Sequence, residues 1–292
     1  MKRQPEELLR DASILRLVQI ALQEDLGAGD VTTEALFARH EPPLGRGRIL
    51  AKEAGVVCGL PVAALVFREV HPEAILEPLV PEGAWVEAGT VIAEVYGPAP
   101  ALLMAERTAL NFLQRMSGVA TLTRRFVEAV QGTGATITDT RKTVPGWRRL
   151  DKYATAIGGA ENHRLGLYDM VLLKDNHIAV AGGIRHAVER CRQELGDSVR
   201  IEVETRSLAE VEEVLQCPGV HRVMFDNFTP EDVHRAVELV AGRLETEASG
   251  RITLATVRRY AETGVNYISV GELTHSAPAL DISLELVLPR LL

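Results

Sequence analysis

From residue 135 onward, short apolar or β-branched runs alternate with helical patterns, and no other feature constrains the fold so strongly. The runs are ATIT (135–138), DMVLL (169–173), VRIEVE (199–204), HRVMF (221–225), RLETE (243–247) and NYISV (266–270). Helical periodicity over 180–195, 208–215, 230–242 and 253–262 separates most of them. Strand, helix, strand in series implies a parallel sheet, because parallel neighbours need a crossover about as long as a helix. Six strands are fewer than the eight of a complete barrel. On the pattern alone, a doubly wound sheet satisfies the repeat equally well.

The first part of the chain has a different rhythm. Apolar positions over 5–23 have helical spacing, and EDLGAGDVT then supplies a turn. Strand-like pieces follow at 47–51, 74–80 and 90–96, with a helix over 61–70 between them. A helical pattern runs from Pro98 to about Val130, with Gly118 as its expected interruption. The chain therefore divides into an α+β domain over 1–116 and an α/β domain over 117–276. The tail, 277–292, follows the end of the repeat and is expected to pack back on another part of the molecule. The stretch PEGAWVEAGTVIAEV resembles half of a lipoyl- or biotinyl-carrier hairpin, but no lysine lies between Lys52 and Lys142 to bear the prosthetic group.

With 46% hydrophobic and 25% charged residues, the composition is that of a globular protein. The longest apolar run, AGVVCGLPVAALVF, is too short to span a bilayer and contains Pro61. No signal peptide is apparent, and Cys58, Cys191 and Cys217 form no CxxC pair, so a cytoplasmic protein with reduced thiols is expected. A net charge of −8 argues against general binding to nucleic acid or membrane. Against that balance, Arg141, Lys142, Arg148, Arg149 and Lys152 fall within twelve positions. Only five of the 32 cationic residues are lysine, and Lys142, Lys152 and Lys174 are three of them.

In parallel α/β folds, ligands bind at the carboxyl ends of the strands. Past the runs come Asp139-Thr140-Arg141-Lys142-Thr143, then Lys174-Asp175-Asn176-His177, Asp226-Asn227, Ala248-Ser249-Gly250 and Gly271, while the third run itself ends in Glu202 and Glu204. One charged residue at a strand end is ordinarily a solvated loop residue. Cations and carboxylates repeated at nearly every strand end instead suggest a polyanionic, hydroxylated substrate. Arginine offers a planar fork to carboxylate or phosphate, and lysine a point charge. Ser249-Gly250 followed by a helix can present amides to phosphate. Glu204 and Asp226 suit ribose hydroxyls or a magnesium ion that keeps most of its water. Metal ligation by His163 and His177 is disfavoured, since they lie fourteen residues apart on separate elements.

These residues sit in a longer pattern. TDTRKTVPGWRRLDKYATAIGGAENHRLGLYDMVLLKDNH, with AERTALNFLQRMSG before it and IEVE, MFDN, EASG and YISVGELTHSAPALDISL after it, resembles the quinolinate phosphoribosyltransferase family from about residue 20 to 285. The resemblance implies an N-terminal open α+β sandwich and an incomplete, six- or seven-stranded parallel α/β barrel. It also implies a homodimer in which Arg107 reaches the active site from the partner's N-terminal domain. Arg107, Arg141, His163 and Arg164 would hold the quinolinate carboxylates. Lys142 and Lys174 would meet the diphosphate, and Glu204 and Asp226 the ribose hydroxyls, organising Mg2+ through water or substrate. Ser249, Gly250, Gly271 and His275 would receive the 5′-phosphate. Three residues depart from the commonest pattern: Arg251 and Ala160 where glycine is frequent, and Trp147 where leucine is common.

The reaction so implied joins quinolinate to 5-phosphoribosyl 1-diphosphate and releases diphosphate and CO2, giving nicotinate mononucleotide for NAD biosynthesis. Three alternatives remain on the sequence alone, one of them a non-catalytic nucleotide-binding or carrier protein, against whose carrier version the missing hairpin lysine weighs. A related phosphoribosyltransferase could act on nicotinate or another acid, and a Schiff-base aldolase could use Lys174 as nucleophile.

Overall fold

The computed structural model describes residues 8–39 and 41–287. The first residues of the 5–23 helical pattern, and 288–292 of the tail, lie outside that range. Among the described residues the strands are β1 (Leu44–Ala51), β2 (Gly55–Val56), β3 (Ile75–Pro78), β4 (Trp85–Val86), β5 (Val91–Pro98), β6 (Thr136–Thr138), β7 (Val171–Leu173), β8 (Ile201–Thr205), β9 (Arg222–Asp226), β10 (Glu245–Ser249), β11 (Tyr267–Ser269) and β12 (Ile282–Val287). The chain forms two compact units. One holds the chain up to Arg124 with Val144–Gly159 and the segment from Ala277; the other holds Arg125–Thr143 and Ala160–Ser276.

The first unit is built on an antiparallel sheet of order β12-β1-β5-β3. β1 alternates exposed and buried positions, placing Ile49 and Ala51 inward and Arg46 and Arg48 outward, as a sheet with one solvated face requires. On the neighbouring β5, Glu94 pairs with both arginines. Helix Ala12–Leu26 starts at Asp11, whose carboxylate accepts the Ser13 amide, and buries Ile14, Val18 and Leu22 at four-residue intervals. Helix Leu60–Val70 lies almost wholly in the core.

The long helix Ala99–Ala129 passes through Gly118 unbroken, contrary to the interruption expected there. A Cβ at Gly118 would lie 1.9 Å from the Pro278 carbonyl oxygen. This glycine makes room for the returning tail rather than ending the helix. Helix Arg148–Gly158, which has no counterpart in the sequence reading, packs in the same unit with Leu150, Tyr153 and Ala154 buried.

The second unit is a six-stranded parallel sheet of order β6-β11-β10-β9-β8-β7. Neighbours follow one another in sequence except that β6 joins the far edge, beside β11. That order is cyclic with one gap, between β6 and β7. A doubly wound sheet would keep its first strand in the interior, so the arrangement is an incomplete α/β barrel. Along the gap side of β6, Glu161 bridges Thr138 in parallel.

Two helical boundaries differ from expectation. The 180–195 pattern is two helices, Asp175–Ala181 and Ile184–Leu195, parted by Gly182 and Gly183, both with positive φ. The 253–262 pattern shrinks to Val257–Ala261, so Ser249-Gly250 does not lead directly into a helix N-terminus.

Candidate active site

The carboxyl ends of the parallel strands surround a cavity of about 610 Å³. Arg141, Lys142, His163, Arg164, Lys174, Glu204, Asp226, Ser249 and Gly250 all line it. Period-two alternation explains the convergence: Glu202 and Glu204 share one face of β8, and Arg222, Met224 and Asp226 share one face of β9.

The segment in the barrel gap supplies two of these groups. Asp139, fully buried at the end of β6, accepts from the His163 amide at 2.8 Å and from Asn162 Nδ2 at 2.7 Å. Those bonds turn residues 162–164 toward the cavity. The buried Arg164 donates through Nη1 to the Met170 carbonyl at 3.1 Å. Burial lowers the Arg164 pKa, and so does the neighbouring positive charge of Arg141. The wall thus brings two guanidinium groups close enough to repel each other.

Opposite charges meet on the adjoining strands. Lys174 Nζ lies 2.8 Å from Glu204. Lys174 also precedes helix Asp175–Ala181, where its amide donates to His177 Nδ1 at 3.0 Å. His177 therefore completes a helix start and does not line the cavity. On β9, Asp226 accepts from Asn227 Nδ2 at 2.8 Å.

Beneath this layer lies a group the sequence reading did not assemble. His163 Nε2 is 3.1 Å from Glu202 and 3.5 Å from Glu247, and both carboxylates are fully buried. Arg222 Nη1 reaches Glu247 at 2.8 Å and its ring-facing side stacks over Tyr267 at 3.8 Å. Burial, then the charge of Glu247, push Glu202 up to about 7. Burial would lower His163, but its contacts with Glu202 and Glu247 outweigh this and raise it to about 9. The Arg164 amide donates to His163 Nδ1 at 2.8 Å, which favours the neutral ring. One such bond contributes about 1 kcal/mol, whereas stranding a buried carboxylate costs about 3–5 kcal/mol, so the carboxylates decide. The His163–Glu202–Glu247 trio has metal-type donors, but Arg222 and His163 already supply its positive charge. Acids and a cation at alternate strand positions (202 and 204, 222, 245 and 247) are the sequence signal for this inward-facing set.

The remaining expected residues lie apart from the lining. Gly271 sits against Lys142 and His275: a Cβ there would be 3.0 Å from Lys142 Cδ and 3.2 Å from the His275 ring. Arg107 is exposed on helix Ala99–Ala129 in the first unit. Lys152, the last cation of the 141–152 cluster, is fully buried in the first unit. Arg149, of the same cluster, pairs with Asp11 at 2.6 Å.

Comparison with known proteins agrees with this geometry. Residues 30–117 match the model for the N-terminal domain of quinolinate phosphoribosyl transferase, and 119–285 match that for its C-terminal domain. The chain is 44% identical over 288 residues to quinolinate phosphoribosyltransferase [decarboxylating] 1b of Nicotiana tabacum, covering 92% of this chain and 81% of that protein. Its fold is similar to NadC from Streptococcus pyogenes (TM-score 0.90, 37% identity, 99% of each chain). It is similar also to the nicotinate-nucleotide pyrophosphorylase from Francisella tularensis (TM-score 0.90, 35% identity, 98% of each chain). By sequence over nearly its whole length, by fold and by the residues gathered at its strand ends, the chain belongs to the quinolinate phosphoribosyltransferase family.

Proposed function

We propose that the protein transfers the phosphoribosyl group of 5-phosphoribosyl 1-diphosphate to quinolinate with decarboxylation, acting as a nicotinate-nucleotide diphosphorylase (carboxylating) in NAD biosynthesis. The observation that carries the substrate choice is the pairing of Arg141 and Arg164 in one wall. Two adjoining guanidinium groups repel each other until an anion joins them, and a pyridine dicarboxylate brings one carboxylate for each. Nicotinate, with a single carboxylate, brings an anion to only one of them.

In this reading Arg141, Arg164 and the positively charged His163 fix the pyridine ring so that its nitrogen faces C1 of the ribose. Glu204 and Asp226 hold the ribose hydroxyls from adjacent strands. Lys142 and Lys174 meet the departing diphosphate, Lys174 exchanging its contact with Glu204 for phosphate oxygen. Ser249 and Gly250, with Gly271 and His275 beside Lys142, receive the 5′-phosphate. The nitrogen–C1 bond forms as the C1–oxygen bond breaks, with positive charge developing on the ribosyl group. The new pyridinium then accepts electron density as the carboxylate beside the nitrogen leaves as CO2, and a proton takes its place. No nucleophilic side chain is needed, which disfavours the aldolase role for Lys174.

Of the three carboxylates lining the cavity, Glu247 is engaged by Arg222 and His163, which leaves Glu204 and Asp226 for Mg2+, each bonded to Lys174 or Asn227. That set fits a hard cation held mainly by water and substrate phosphates. When bound, the ion would neutralise diphosphate charge. We place the active form in the cytoplasm as a homodimer, with Arg107 of each chain completing the partner's site.

Purified protein supplied with phosphoribosyl diphosphate and either acid tests the substrate claim: nucleotide should form from quinolinate and not from nicotinate, and the reverse would refute it. Arg164→Ala should chiefly raise KM for quinolinate, and Asp226→Ala that for phosphoribosyl diphosphate. Equal effects of both variants on both substrates would contradict this division of roles.

A further inference from the structure

The wall formed by the ends of β9 and β10 has an unusual backbone. Asn227, Gly250 and Arg251 all have positive φ, at 59°, 102° and 51°. The two turns press together: the Asn227 amide donates to the Ser249 carbonyl at 2.8 Å, and a Cβ on Gly250 would meet Asn227 Oδ1 at 2.5 Å. The chain therefore leaves β10 through two successive left-handed residues, and the second is an arginine, a residue type that this conformation disfavours. The following residue, Ile252, is buried and anchors the turn. The backbone thus sets the direction of the Arg251 Cα–Cβ bond, and the residue lines the cavity.

Charge gives that direction a meaning. On this wall the other charged lining residues are Glu247, which Arg222 already engages, and Asp226, a carboxylate beside the place where Ser249 and Gly250 would receive phosphate. An anion there needs a cation to offset Asp226. Arg251 forms no ion pair or hydrogen bond among the described residues, whereas Arg200, Arg206, Arg222, Arg258 and Arg259 of the same unit are each engaged by a carboxylate. We infer that Arg251 is a further substrate-binding residue, whose guanidinium grips the phosphate seated on Ser249-Gly250 and so tunes affinity for the phosphoribosyl donor. The inference rests on the proposed phosphoribosyl transfer. It adds to that reading a residue that replaces backbone ease with a fixed charge.

The test separates side chain from backbone. Arg251→Ala deletes the charge and keeps the strained turn; Arg251→Gly deletes the charge and relieves it. Both should raise KM for phosphoribosyl diphosphate about tenfold or more, the loss expected for a charge-assisted hydrogen bond. KM for quinolinate should change by less than about twofold, as uniform loss of binding to the other substrate predicts. Arg251→Lys should recover part of the loss, and the salt dependence of donor binding should weaken in the Ala and Gly variants. Unchanged KM for the donor in both variants, or an equal rise for both substrates, would overturn the inference. A loss in Arg251→Ala that Arg251→Gly reverses would overturn it too, by assigning the effect to the backbone. Wild-type protein inactive with quinolinate would instead refute the proposed function, and calorimetric binding of ribose 5-phosphate to wild type and to Arg251→Gly would then decide the phosphate contact alone: tighter binding by wild type supports it, equal binding removes it.

Discussion

At the scale of single residues, the charged strand ends were legible because their chemistry repeats along the chain. Arg141, Lys174, Glu204 and Asp226 each end or follow an apolar run, and all four face one cavity. What the sequence did not disclose is the layer beneath. Glu202, Arg222 and Glu247 lie inside strands, where charge is unexpected, and only the barrel's curvature brings them onto His163. This layer has a pH signature. His163 titrates near 9 in the folded protein, against an ordinary value of about 6.5. A raised pKa on a base means that the folded state binds the proton more tightly. The stabilisation is full below about pH 6.5 and is lost as pH rises through about 9. The melting-temperature advantage of wild type over His163→Gln should therefore shrink between pH 6.5 and 9. A constant difference across that range would show that the imidazole is neutral throughout.

At the scale of elements, periodicity located nine of the twelve strands among the described residues to within a few residues and missed β2, β4 and β12, and errors cluster where tertiary contacts override local preference. Gly118 is the clearest case. Local propensity marks it as a break, yet the helix continues because the Pro278 carbonyl needs the space a side chain would fill. Alanine in a helix interior is ordinarily favoured over glycine by about 1 kcal/mol. Here Gly118→Ala should be destabilising instead, by about 1–3 kcal/mol, the usual cost of overpacking. Denaturant melts of the variant would measure this, and a gain in stability would show that the tail can move aside. Helix Arg148–Gly158 was missed for a related reason. Its opening RRLDKY looks like a solvated charge run, but Asp151 and Lys152 are buried, with Arg115 2.9 Å from Asp151. Buried ion pairs of this kind imitate surface in a sequence.

At the scale of the whole molecule, the strand–helix repeat defined a parallel sheet but could not close it. Whether six strands wind doubly or curl into a barrel depends on which edge β6 joins, and that pairing with β11 spans more than 120 residues. The family resemblance filled this gap, and the cyclic strand order agrees with it. The same resemblance supplies the expectation that Arg107 acts across a dimer, which no pattern in one chain encodes. Mixing Arg107→Ala with Arg164→Ala, at a quinolinate concentration too low for either variant alone to turn over, should restore activity. Random exchange into dimers would give up to about a quarter of the wild-type rate per chain, since half of the sites in mixed dimers carry neither substitution. No recovery after verified subunit exchange would place Arg107 outside the partner's site.

The fate of one carboxylate tests the proposed reaction most directly. Quinolinate labelled in the carboxylate beside the ring nitrogen, incubated with the protein, phosphoribosyl diphosphate and Mg2+, should release labelled CO2 in equal amount to the nicotinate mononucleotide formed. Omitting either co-substrate should abolish the release. Nucleotide that keeps the label, or CO2 released without phosphoribosyl diphosphate, would contradict the account.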